Sequence, residues 1–193
     1  MFDLGWRQWL VVISILMALF GTIPYIKDTL KGKTKPNRVS WLMWSVAPLI
    51  GVGAALSAGA EFWPMLRILF TGIMPLIVFI VTFMAPKAYW KLEVFDYLCG
   101  FCSVVAILIW LVIDEPVLAI LVAATADGFA FAPTIKKAWT NPETETLSLY
   151  VVGAASMLLI FPSIPELSIE NLAFPVYLLI GHITMISIIK VRR

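Results

Sequence analysis

The sequence is short of charge, of histidine and of cysteine. Only 13% of its 193 residues are Asp, Glu, Lys or Arg. A soluble domain carries roughly twice that share. One histidine stands in the whole chain, and no Ser-His-Asp set, metal motif or phosphate-cradling loop is legible. An enzyme is therefore not expected, nor is a metal or a cofactor. The two cysteines, Cys99 and Cys102, form one C-x-x-C inside an apolar run. They read as small residues that let helices approach closely, not as a redox or metal pair. No Asn-X-Ser/Thr sequon occurs, because Asn37, Asn141 and Asn171 are followed by Arg-Val, Pro-Glu and Leu-Ala. That argues against glycosylation. Every lysine lies in an expected loop or at a helix end, so a retinal-binding photoreceptor, which needs a buried lysine, is excluded.

What the chain has in quantity is apolar surface. Hydrophobic residues make up 61% of it, with eight Trp and twelve Phe, and its mean hydropathy is +0.95. This composition predicts an all-α integral membrane protein whose principal partner is the lipid bilayer. A crossing helix needs about 17–25 apolar residues. Seven stretches qualify: Trp9–Ile26, Ser40–Ala58, Phe62–Ala85, Phe95–Ile113, Pro116–Pro133, Leu147–Phe161 and Leu172–Ile189. The first lacks the basic leader of a signal peptide and is expected to be retained. Asp114-Glu115-Pro116 forms the tightest connection.

Twelve of the fourteen basic residues fall in alternate connections and the tail. Lys27, Lys31, Lys33, Lys35 and Arg38 follow the first stretch, Lys87 and Lys91 the third, Lys136 and Lys137 the fifth, and Lys190, Arg192 and Arg193 the last. Cytoplasmic loops retain Lys and Arg. The N-terminus is therefore expected outside and the C-terminus in the cytoplasm.

The segment "GTIPYIKDTLKGKTKPNRVSW" has an echo in "AFAPTIKKAWTNPETETLSLY". Pro24 and Pro133, and Lys27 and Lys136, are 109 residues apart; Ser40 and Ser148 are 108 apart, and Pro64 and Pro175 are 111 apart. Near-constant offsets predict a duplication. Residues 1–92 would form the first three-helix repeat, 93–113 a linker helix, and 114–193 the second repeat. An odd number of intervening helices makes the repeats parallel. With its 3+1+3 layout, the proline near the cytoplasmic end of each triplet's first helix and the basic segment after it, the chain resembles the SWEET and PQ-loop superfamily. The family's Pro-Gln is replaced by Pro24-Tyr25 and Pro133-Thr134. The resemblance implies alternating-access transport of a small solute, sugar-like or amino-acid-like, with sorting receptors on the same scaffold as the alternative.

Proline lacks an N–H and clashes with the preceding turn. Pro24 and Pro133 are accordingly expected to bend their helices and work as hinges of an inner gate. Pro48, Pro64, Pro75 and Pro175 receive no individual role. Counting about 1.5 Å per residue from the outer ends puts Asp127 about 16 Å deep, His182 about 15 Å and Thr71 about 14 Å. Thr71 and His182 are also 111 residues apart. Ionisable groups at this depth usually face the bundle interior. Thr71, Asp127, His182 and Trp44 are the expected substrate-binding residues, and Asp127 and His182 are expected to share or relay a proton. Arg67, at about 8 Å, is placed to snorkel outward. Trp41, Trp44, Trp63, Trp90 and Tyr150 also suit an interfacial aromatic belt. SWEET-like carriers often use asparagine in the third helix of a triplet. Here all three asparagines fall in expected loops, which weighs against a sugar. The expected partners are thus lipid and a small-molecule solute, not nucleic acid, with a homo-oligomer left open. The expected location is a prokaryotic cytoplasmic membrane.

Overall fold

The computed structural model describes residues 5–57, 62–164 and 166–193. Among them are seven α-helices and no strand: α1 Trp6–Leu30, α2 Arg38–Ser57, α3 Phe62–Met84, α4 Val94–Trp110, α5 Pro116–Thr140, α6 Leu147–Ile160 and α7 Ile169–Arg192. Trp6–Leu30, Val117–Thr140 and Asn171–Arg192 are long and apolar enough to cross a membrane.

Local chemistry sets the helix starts. The Asn37 side-chain oxygen accepts from the amides of Val39 and Ser40 at 3.0 and 3.3 Å and so caps α2. Its side-chain amide donates to Asp96 Oδ1 at 3.0 Å. Asp96 Oδ2 accepts from the Glu93 amide at 2.6 Å, within a capping box that opens α4. One asparagine thereby ties the heads of α2 and α4. Glu115 caps α5 through the Leu118 amide at 2.6 Å, with Pro116 in the first turn, where its missing N–H costs nothing. Near the opposite end of α5, Lys136 holds the Glu93 carboxyl below its ordinary range from 2.7 Å. Both groups are exposed, so the pair adds little stability.

Two expected boundaries need correction. α1 continues past Ile26 to Leu30, and α5 past Pro133 to Thr140, so both prolines are interior to their helices. A proline deletes one main-chain bond, while the amides downstream still find their acceptors, as Asn141 N–H finds the Lys137 carbonyl at 2.7 Å. Lys27, Lys136 and Lys137 are therefore helical, not loop residues. Asn171 likewise lies in the first turn of α7.

In packing, α3 contacts both α1 and α2, and α7 contacts both α5 and α6. The triplets meet where α1 lies on α6 and α2 on α5, while α4 leans on α5 and α2. Exchanging α1, α2 and α3 with α5, α6 and α7 leaves the set of contacting helix pairs within and between the triplets unchanged, though not the extent of each contact. Large apolar side chains cover the outside, and polar ones join the apolar core within. Phe20, Ile80, Phe101, Leu108, Leu158 and Ile180 face outward, while Thr22, Ser40, Ser45, Thr134, Lys137 and Glu145 are buried.

Candidate functional site

A cavity of about 230 Å³ lies where the triplets meet. Every helix except α4 contributes described lining residues. Thr71, Asp127, His182 and Trp44 all line it; Pro24 and Pro133 do not, being interior to α1 and α5. Arg67 and Trp63 belong to α3, and their side chains lie outside the described residues.

Asp127 projects from α5. Its Oδ2 accepts from the Tyr177 hydroxyl of α7 at 2.8 Å. Phe131 is one helical turn along α5, on the same face. Its ring centroid lies 5.4 Å from that of Trp44, and the Phe174 and Tyr177 centroids are 5.9 Å apart. The carboxylate thus shares one cavity with aromatic rings from three helices.

His182 is 2.7 Å through Nδ1 from the Leu178 carbonyl. A carbonyl only accepts, so Nδ1 carries the hydrogen. The direct Asp127–His182 bond that a relay would use is not formed: each group bonds elsewhere, one to Tyr177 and the other to Leu178. His182 packs against Gly153 of α6 so closely that a Cβ there would collide with its Nε2 edge. Gly153→Ala is therefore expected to destabilise the chain by about 1–3 kcal/mol. Removing the ring with His182→Ala in the same chain should recover most of that loss. Denaturation of the two variants and of their combination checks the coupling; independent, additive losses would refute the contact.

The cavity has a built floor. Tyr150 of α6 and Trp41 of α2 line it and also enter a buried polar cluster beyond it. Glu145, just before α6, accepts on Oε2 from Tyr150 at 2.8 Å and from Tyr25 of α1 at 3.2 Å. Its Oε1 forms an ion pair with Lys137 of α5. Both charged side chains are about 1% exposed or less. Lys137 also donates to the Lys35 carbonyl in the α1–α2 connection. Arg193 donates to the Glu145 carbonyl at 2.5 Å. The Trp41 ring lies 4.9 Å from that of Tyr25. Trp41 and Tyr150 are thus interior residues, not belt residues; both are under 5% exposed.

The two proline motifs act here through the residues that follow them. Tyr25, after Pro24, reaches from the first triplet to Glu145 of the second. Thr134, after Pro133, donates to the Ser40 hydroxyl of the first triplet at 2.9 Å, also buried. Each motif therefore supplies a hydrogen bond across the seam between triplets. Sequence reasoning missed Glu145, Lys137, Tyr25 and Tyr177. The two charges resemble ordinary loop charges, and only the fold brings Tyr25 and Glu145, 120 positions apart, into contact. The one available signal was Tyr25, which follows the first of the two echoed prolines.

No family model, curated protein or solved structure matches the chain.

Proposed function

We propose that this protein is an integral membrane carrier that moves a small solute through the central cavity by alternating access. All seven helices span the bilayer in a 3+1+3 arrangement, with the N-terminus outside and the C-terminus cytoplasmic, in a prokaryotic cytoplasmic membrane. The triplets are duplicated units that rock against each other. The outward-facing apolar side chains and the three long apolar helices support the membrane setting.

One observation carries the transport reading. The cavity is shared between two interchangeable triplets, and its floor, toward the basic connections, is made of contacts between those triplets. Parting the seam would open the cavity on that side without unfolding either unit. This is the rocking that parallel repeats permit.

The test requires no known substrate. Cys99 and Cys102 are free thiols and are first replaced by alanine. Ser156, a cavity residue on α6, then becomes the single cysteine in proteoliposomes. A membrane-impermeant thiol reagent should modify Ser156→Cys from either side of the bilayer. A receptor on the same scaffold reacts from one side only, and that outcome overturns the carrier reading.

A further inference from the structure

We infer that the cavity binds a small organic monocation, an amine with an aromatic or aliphatic body, and that Asp127 holds its charge. The inference deepens the carrier reading and rests on it for movement across the membrane.

The charge balance points first. Asp127 has one hydrogen-bond donor, Tyr177. The ion pairs among the described residues are Lys136–Glu93 and Lys137–Glu145, and neither involves Asp127. A carboxylate away from bulk water is costly unless it carries a proton or meets a cation. The remaining wall selects the kind of cation. Trp44, Phe131, Phe174 and Tyr177 line the same cavity as the carboxylate, and the faces of such rings attract ammonium groups. Met74, Met157 and Leu178 extend the apolar lining. A sugar would leave most of its hydroxyls without partners against such a surface. At about 30 Å³ per water, the cavity of about 230 Å³ spans roughly seven or eight water volumes, which suits a small ligand.

Proton and amine would compete for the same carboxylate, so apparent affinity rises with pH. The titratable and charged groups on the elements packed against α5 are few. Among the described side chains they are Tyr177, His182, Lys190, Arg192 and Arg193 of α7 and the tail, Cys99, Cys102, Tyr97 and Asp96 of α4, Arg38 at the head of α2, and Glu143 of the turn after α5. Lys136 and Lys137 lie at the far end of α5 itself and are paired with Glu93 and Glu145. None of them forms an ion pair with Asp127.

The experiment is equilibrium binding of radiolabelled 2-phenylethylamine to the purified full chain in detergent. Saturable binding at one site is expected, strengthening as pH rises. Asp127→Asn should weaken it by at least ~30-fold while leaving the melting temperature nearly unchanged. In the native chain, the neutral analogue 2-phenylethanol should compete at least ~30-fold less well than the amine; this comparison decides the matter if the variant fails to fold. No saturable amine binding, equal competition by the alcohol, or full binding by a folded Asp127→Asn chain overturns the inference. Flux in proteoliposomes separates the two readings. Amine binding without amine exchange overturns the carrier reading and supports the site. Exchange of a neutral solute without amine binding does the reverse.

Discussion

Lys137→Met is expected to cost about 3–5 kcal/mol of folding stability, the usual consequence of leaving a buried charge without its partner. Lys137 and Glu145 are both almost fully enclosed. Methionine fills much of the lysine's volume but leaves the Glu145 carboxylate with only two hydroxyl donors, from Tyr25 and Tyr150. It also removes the donor to the Lys35 carbonyl. The pair itself is a different matter. Replacing both charges by neutral groups of similar shape often costs little, so Lys137→Met combined with Glu145→Gln should recover much of the loss. Chemical denaturation of the native chain, the single variants and the double variant measures this. A single-variant cost below about 1 kcal/mol, the range of exposed pairs, would show that water reaches the floor of the cavity.

A disulfide between Ser40→Cys and Thr134→Cys is expected to remove essentially all reaction of Ser156→Cys from the basic side. The hydroxyls at the two positions already meet at 2.9 Å, so thiols there start from bonding range. Disulfide geometry tolerates only small displacement, and the oxidised bond would hold α2 against α5. Reaction from the opposite side should persist, and a reductant should restore the lost half. Complete cross-linking with unchanged labelling from the basic side would mean that the cavity does not open at this seam.

The legible parts of this molecule were those governed by one-dimensional rules. Each apolar stretch recognised in the sequence overlaps one of the seven helices, and Trp9–Ile26, Pro116–Pro133 and Leu172–Ile189 lie wholly inside theirs, because segment length and hydropathy need no tertiary information. Thr71, Asp127 and His182 were singled out by depth, by ionisable character and by the 111-residue offset, and they share one cavity. Depth gives no azimuth, however, so nothing in the sequence directed Asp127 toward Tyr177 or His182 toward Leu178. The ends of α1 and α5 were placed early because the apolar runs stop at Ile26 and Pro133, although the polar turns that follow stay helical. Lys137 was missed because a lysine near a helix end satisfies the positive-inside rule whether it is solvated or enclosed.

The unequal seam contacts bear on ancestry. At an offset of 109, Tyr25 aligns with Thr134, Asp28 with Lys137 and Pro36 with Glu145. A molecule assembled from two copies of the first half would bring tyrosines to the junction with no glutamate or lysine to receive them. One built from two copies of the second half would bring Glu145–Lys137 pairs without Tyr25. If the halves began as identical twins, they have become obligate complements. Reversion to a symmetrical dimer of either half is closed unless the junction is rewritten.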